Sequence, residues 1–401
     1  MDANRTLRHR AAIVGVGETT YFKRGQSPDP EFVLALKAIL AACADAGISP
    51  HDIDGFSSYA DDRNDAARLA AALGIRELRF ASMQWGGGGG GCAGAIANAS
   101  AAVATGQAEC VVVFRALSQG QVRYGQGGAA LGYATQAAPE IAGEMAFPVP
   151  YGAISPAQRF ALKAQRFMHD HGVRQEALRA IALAAYAHAQ NNPRAIMYGK
   201  PLDAAKYDAS RWIAEPFHLF DSCMENDGAA AIVMVSGDRG RDFAQTPAYV
   251  LAAAAGSDHR HAAPSHSAPD YATANYKSVA RRLFEMAGVS PKDVDVVQAY
   301  ENFTGGVAMA LAEHGLFAPE EANEILTLEN LTAPRGRLPL NTSGGHLAEC
   351  YMHGMNLTIE AARQIRGQSC NQVPQVDVAL MVSGPMVTPT SSLLLGSEAT
   401  R

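Results

Sequence analysis

No stretch of this sequence holds ~18 apolar residues in a row, the length a membrane-crossing helix requires. The N-terminal stretch MDANRTLRHRAAIVGVGETTYF likewise has no apolar run of signal length before its first strand. A membrane span and a secretory leader are therefore not expected. Cysteine is sparse: Cys43, Cys92, Cys110, Cys223, Cys350 and Cys370 are scattered along 401 residues, with no CxxC pair. That spacing excludes a disulfide framework and a cysteine-built zinc site, so a reducing cytoplasm and no metal in this chain are expected. There is no Lys/Arg cluster, and the formal net charge is −6. Nucleic acid is not the expected partner. What the chain does have is apolar residues, 48% against 18% charged. At this length such a balance suits two or three lobes around a large interior.

The chain repeats itself. ACADAGISPHDIDGFSSY (Ala42 to Tyr59) and LFEMAGVSPKDVDVVQAY (Leu283 to Tyr300) share a helical end, then A-G-[IV]-S-P-x-D-[IV]-D, then an apolar strand closing on tyrosine. The glycine caps a helix, and the Ser-Pro after it blocks continuation. AIANASAAVATGQAECVVVF and GMNLTIEAARQIRGQSCNQVPQVDVALMVSG form a second pair, each running from a helix through Gly-Gln to an apolar strand. A duplicated α/β unit follows. The alanine-rich helix is narrow enough for a buried central layer between two sheets. The expected divisions are residues 1–117 and 215–245 for the first half, 118–214 for an inserted cover, and 246–401 for the second half. The cover, with RYGQGGAALGYA, FPVPYGAISP and two amphipathic helices, is expected over the first half. CMENDGAAAIVMVS then returns to strand.

One stretch is unusual: QWGGGGGGCAGA puts six glycines directly before Cys92. Glycine costs backbone entropy and packs nothing, so a flexible loop or a close approach to the backbone would explain it. Three further stretches gather polar residues: QAYENFTGG (298–306), NTSGGHLAECYMHGMN (341–356) and VALMVSGPMV (378–387).

Together with NDGAAA and the duplicated unit, and in this order, these stretches make the chain resemble the thiolase superfamily over nearly its whole length. The resemblance implies an α/β fold: two βαβαβαββ halves in a five-layer α-β-α-β-α arrangement with an inserted loop domain. A thiolase carries a nucleophilic cysteine in C-x-[ST]-G before the small-residue helix. Here that position falls at about Gly90 or Gly91. The family's G-H-P-x-G histidine aligns with Tyr351, its N-E-A-F or H-D-C-F motif with Tyr300-Glu301-Asn302-Phe303, and its second cysteine near Met381. Cysteine, histidine and cysteine are replaced.

Within the superfamily the chain most resembles the thiolase-like, lipid-transfer-protein-type aldolases of bacterial steroid side-chain degradation. That resemblance implies retro-aldol cleavage of a β-hydroxyacyl-CoA, a 17-hydroxy steroid C20-carboxyl-CoA, to a ketone and propionyl-CoA. Tyr300 and Tyr351 match the acid–base pair of those enzymes. It further implies a homodimer core flanked by a small zinc-ribbon/OB-fold (DUF35) partner, with zinc in the partner only and no cofactor in this chain.

Such a cleavage needs a base for the β-hydroxyl, stabilisation of a thioester enolate and a proton for the α-carbon, but no covalent intermediate. Tyr351 is expected as base and Tyr300 as acid. A phenol of ordinary pKa near ~10 needs help to act as a base, and His346 and His353 are the candidate helpers. Gly89, Gly90 and Gly91 are expected to leave room for the acyl group and to offer N–H groups to the thioester oxygen. Cys92, Asn302, Gly344 and Gly345 complete the expected substrate-binding set.

Other readings stand beside these. Cys92 is either a buried packing residue or, after a register shift, the nucleophile of a cysteine thiolase. A third reading is an acyl-CoA or lipid carrier that turns nothing over. Tyr59, the repeat mate of Tyr300, shows that a tyrosine closing this strand can be structural. Glu301, Glu349, Asn302 and Asn341 fit loop-orienting roles. Arg159, Lys163 and Arg166 fit either CoA phosphates or a solvated helix face.

Overall fold

The glycines and Ser-Pro turns of the repeat do what their chemistry dictates. Gly47 and Gly288 take left-handed conformations, φ 73° and 64°, at the ends of the helices Glu31–Ala46 and Lys277–Ala287. Pro50–Asp52 and Pro291–Asp293 then make single 3-10 turns. In each the aspartate accepts the serine N–H, at 2.9 Å from Ser49 and 2.7 Å from Ser290. The strands β3 (Gly55–Tyr59) and β10 (Val296–Ala299) follow. This computed structural model describes residues 6–60, 62–85, 88–120, 146–258 and 270–401. The RYGQGGAALGYA part of the cover lies outside the described residues.

The other strands are β1 (Ala11–Glu18), β2 (Phe22–Lys23), β4 (Phe80–Gln84), β5 (Cys110–Ser118), β6 (Trp212–Ala214), β7 (Phe217–His218), β8 (Asn226–Ser236), β9 (Ala248–Gly256), β11 (Val378–Val382) and β12 (Thr390–Gly396). The main sheet runs β10-β11-β12-β9-β1-β8-β5-β3-β4, with β2 against β8, and β6-β7 pair separately. Its two halves join where Ala12 and Ile13 of β1 meet Tyr249 and Ala248 of β9, with the His9 N–H donating to Val250 O at 2.9 Å just before them. Either side of that seam the pattern is the same. β3 pairs β5 in parallel, then β8 and β1 follow antiparallel. β10 pairs β11 in parallel, then β12 and β9 follow antiparallel. Beyond β3 lies parallel β4, and its counterpart beyond β10 is a single parallel bridge, Val297 to Leu340.

Strand alternation sorts the layers. In β8, Ala229, Ala231, Val233 and Val235 face the Glu31–Ala46 helix, while Ala230, Ile232 and Met234 face inward. Between the half-sheets lie the helices Cys92–Thr105 and Met355–Arg366, each touching strands of both. The Lys277–Ala287 and Thr304–Glu313 helices cover the far face. The result is the expected α-β-α-β-α order. Each large apolar side chain withdrawn into it contributes ~1.5–3 kcal/mol.

The cover differs from expectation. Its helices Pro156–His171 and Gln175–Ala189 pack on the second half, against Thr304–Glu313, not over the first. The reason is local: Gly305 lets Ala164 approach, and Phe217 stacks on Phe303 with ring centroids 4.8 Å apart. Among the described residues no helix is long and apolar enough to cross a membrane.

Candidate active site

Each central helix is preceded by an irregular turn, and these two turns, with the loop after β10, build the site. Gly88–Gly91 forms a 3-10 turn before Cys92. Gly344, Gly345 and Gly354 have φ of 110°, 55° and 94°, and Gly345–Glu349 forms a π-turn. Only glycine adopts these angles without strain. Gly345 is also forced by proximity, since a methyl there would lie 2.4 Å from both Glu301 carboxyl oxygens. Gly344 would meet Ala189 of the cover at 2.9 Å. Both glycines thus shape the turn.

These turns bring the two tyrosines together. Tyr300 donates its hydroxyl to that of Tyr351 at 2.6 Å. His346 stands edge-on to Tyr300 with centroids 4.2 Å apart, and His353 edge-on to Tyr351 at 4.8 Å. All four residues expected to carry the chemistry therefore share one cluster. Burial pushes the His346 imidazole down to about 3. The same cause, with Arg115 adding to it, holds His353 well below its ordinary value. Both are neutral at physiological pH and supply no positive charge to a phenolate. His346 Nδ1 has no hydrogen-bond partner among the described residues, whereas Nε2 lies 3.0 Å from Asn356 Oδ1.

The carboxyl groups beside the pair are similarly quiet. Burial pushes Glu301 up to about 8, where the His346 backbone N–H at 2.7 Å only partly offsets it. Glu349 is raised to about 7 by burial, though it receives Asn192, Ser343 and Asn356 at 2.8, 2.6 and 3.2 Å. Asn302 is occupied by its own loop: Nδ2 donates to Pro385 O at 2.7 Å and Oδ1 accepts the Phe303 N–H at 2.8 Å. Asn341 spans Ala299 in the same way, at 2.7 and 2.8 Å. Both side chains tie their loops to the neighbouring backbone.

The glycine run has a different occupant from the one expected. A Cβ on Gly89 would lie 2.0 Å from the Tyr300 ring. Gly90 faces the carbonyl of Pro389 at 2.7 Å, and Gly91 faces Tyr59 and Gln84 at 3.1 Å. At each of these positions the place of a Cβ is taken by the protein itself, at Gly89 by the Tyr300 ring. Gly384 N–H and the Ser391 hydroxyl take the Gly89 and Gly90 carbonyls, which fixes the turn to the β11–β12 connection. Gly86 and Gly87 lie outside the described residues.

Cys92 is fully buried and its sulfur sits 3.7 Å from Thr358 Oγ1. Burial pushes its thiol up to about 11. A nucleophile needs the thiolate, and this setting suppresses it. Tyr59 is a strut, donating to the carbonyls of His353 at 3.1 Å and Met352 at 3.4 Å. Lys163 is buried, donates to Thr273 O at 3.0 Å, and is pushed down to about 8 by desolvation. Arg166 pairs with Asp170 at 2.8 Å.

Sequence reasoning missed Ser222–Asn226. Ser222 bridges Phe303, the Cys223 N–H meets Asn302 O at 3.2 Å, the Met224 N–H meets His346 O at 3.2 Å, and Asn226 Oδ1 accepts the Tyr351 N–H at 2.6 Å. The NDG triplet was the available signal. Its spacing marks a strand start and a family motif but not the preceding loop's contacts with the loop after β10 and with the His346–Tyr351 turn.

Comparison with known proteins gives the family. Residues 254–397 match the family model described as thiolase C-terminal domain-like. The chain is 40% identical over 393 residues to a 17-hydroxy-3-oxo-4-pregnene-20-carboxyl-CoA lyase of Mycobacterium tuberculosis, covering 97% of this chain and 100% of that protein. It is 40% identical to a steroid side-chain-cleaving aldolase of Thermomonospora curvata, with 97% and 98% covered. A solved Ltp2-ChsH2(DUF35) aldolase superimposes with a TM-score of 0.89 at 37% identity, covering 98% of this chain and 99% of that one. The chain belongs to the thiolase-fold family of steroid side-chain-cleaving aldolases and is a carbon–carbon lyase.

Proposed function

We propose that this lyase cleaves a 17-hydroxy steroid C20-carboxyl-CoA to a 17-ketone and propionyl-CoA, using Tyr351 as base and Tyr300 as acid. The observation that carries the reading is the 2.6 Å contact between the two hydroxyls, beside a glycine turn that seats the Tyr300 ring against Gly89. Tyr351 takes the proton of the β-hydroxyl. The Cα–Cβ bond then breaks, leaving the ketone and a thioester enolate. Tyr300 protonates the α-carbon, and the proton held by Tyr351 passes across the short contact to Tyr300, which resets the pair. Protons balance without a cofactor in this chain. Neutral Glu301 suits the step, because a charged carboxylate there would oppose the enolate. His346 and His353, uncharged, act by packing and hydrogen bonding rather than as cations.

The same reading places the protein in the cytoplasm as a homodimer flanked by a zinc-ribbon/OB-fold partner. Two observations support an assembly: β4 is an edge strand with exposed Met83 and Trp85 beside it, and the Ltp2-ChsH2 relative is named as a complex with a DUF35 protein. Turnover of the steroid acyl-CoA, with and without that partner, tests the function. Tyr351→Phe and Tyr300→Phe should each lower kcat by ~10²–10⁴, while Cys92→Ala keeps it. Loss in Cys92→Ala with both tyrosine variants active would return the chain to the cysteine thiolases. Binding without turnover by the wild-type complex would favour a carrier.

A further inference from the structure

His346 is the ring that both tyrosines share. Its centroid lies 4.2 Å from that of Tyr300 and 5.1 Å from that of Tyr351, and the tyrosine rings are themselves 5.6 Å apart. A rotation of this imidazole would disturb the contact between the two hydroxyls. What fixes the imidazole is Asn356, the second residue of the Met355–Arg366 helix, which is buried with Met355, Leu357 and Ile359 around it in the sequence. An amide in so apolar a layer costs free energy unless its hydrogen bonds are met.

Asn356 meets them in one orientation. Its Nδ2 lies 3.2 Å from Cys350 O and 3.2 Å from Glu349 Oε2. A backbone carbonyl only accepts, so the nitrogen end of the amide must face it. Oδ1 is then left facing His346 Nε2 at 3.0 Å. Two acceptors form no hydrogen bond, so the network assigns the proton to Nε2. The Gly354 N–H, 3.2 Å from the same nitrogen, suits the opposite tautomer. That tautomer, however, sets two lone pairs against each other at 3.0 Å and buries an Nδ1–H that has no acceptor among the described residues. The Asn356 bond therefore decides. Glu349 is anchored in turn. Asn192, just past the Gln175–Ala189 helix of the cover, donates to its Oε1 at 2.8 Å, and Ser343 to its Oε2 at 2.6 Å.

We propose that Glu349 and Asn356 hold His346 as its Nε2–H tautomer and so fix the ring on which Tyr300 and Tyr351 align for proton transfer. All three are positioning residues, and their role rests on the aldolase reading above. Misplacing reacting groups by about 1 Å can cost ~10²-fold in rate, so the bond that orients this ring bears on turnover rather than on substrate affinity.

Two measurements on the complete enzyme test this. The first needs no substrate: nitrogen NMR of protein carrying isotope-labelled histidine, at neutral pH, where the two ring nitrogens report which one is protonated. The His346 signals are identified by their loss in His346→Gln. Wild type should show Nε2–H alone, and Asn356→Leu a mixture of tautomers. Nδ1–H in wild type, or an unchanged spectrum in Asn356→Leu, would overturn the proposal. The second is steady-state kinetics. Asn356→Leu should lower kcat ~10-fold or more, with KM within ~2-fold of wild type. His346→Gln, whose amide nitrogen reaches the Nε2 position, should keep more of kcat than His346→Asn, whose amide nitrogen reaches only the Nδ1 position. An unchanged kcat in Asn356→Leu, or equal or reversed rates in the His346 pair, would sink the positioning role. If Asn356→Leu does not fold, the wild-type spectrum and the His346 pair still decide. If wild type itself releases no ketone, the aldolase reading fails, and the spectrum still decides whether the tautomer is held.

Discussion

The Glu301 carboxyl, enclosed beneath the π-turn, is pushed by burial from 4.5 up to about 8. Between those values the folded chain holds a proton that the unfolded chain has released, so this group's contribution to stability falls as pH rises. His346 works in the opposite sense. Pushed from 6.5 down to about 3, it is neutral when folded but charged when unfolded, so its contribution grows with pH through that window. Substituting Glu301→Gln separates the two. Denaturant unfolding at about pH 5 and about pH 8 should show wild type losing stability relative to Glu301→Gln at the higher pH. A constant difference between the two proteins would mean the carboxyl is not held protonated.

Among the elements, the π-turn Gly345–Glu349 and the cap Gly106 make a useful contrast. Both glycines have positive φ, 55° and 74°, but only Gly345 is crowded; nothing lies within 4 Å of a Cβ built on Gly106. Gly345→Ala should cost roughly 1–3 kcal/mol and disturb Glu301, whereas Gly106→Ala should cost only about 1 kcal/mol from its backbone angle. Urea midpoints and kcat measured together check this, with activity lost only at Gly345. The repeat was legible in sequence because its signals are local: a capping glycine, a proline that stops the helix, an aspartate that caps the next turn. The tyrosine pair was legible through its motifs. What fills the glycine run was not, because the Tyr300 ring comes from more than 200 positions downstream and leaves no mark beside Gly89. The Asn226 contact and the seat of the cover on the second half were hidden for the same reason. Each depends on which surfaces meet, and spacing along the chain does not encode that.

For the whole molecule, the decisive feature is that each half completes the other. Gly89 of the first half seats the Tyr300 ring of the second, and the Tyr59 hydroxyl holds the carbonyls of Met352 and His353 just past Tyr351. β8, which closes the first half-sheet, begins at the Asn226 that grips Tyr351. Among the described residues the half-sheets pair along a short seam, Ala12–Ile13 against Ala248–Tyr249. Contacts of such long sequence separation form late, after local helices and turns. On refolding from denaturant, far-ultraviolet circular dichroism should therefore recover first and lyase activity in a later, slower phase; simultaneous recovery would contradict this order. During synthesis the consequence is temporal: a nascent chain has helices and strands long before its two halves meet, and Tyr300 reaches its seat on Gly89 only when the last third folds back onto the first.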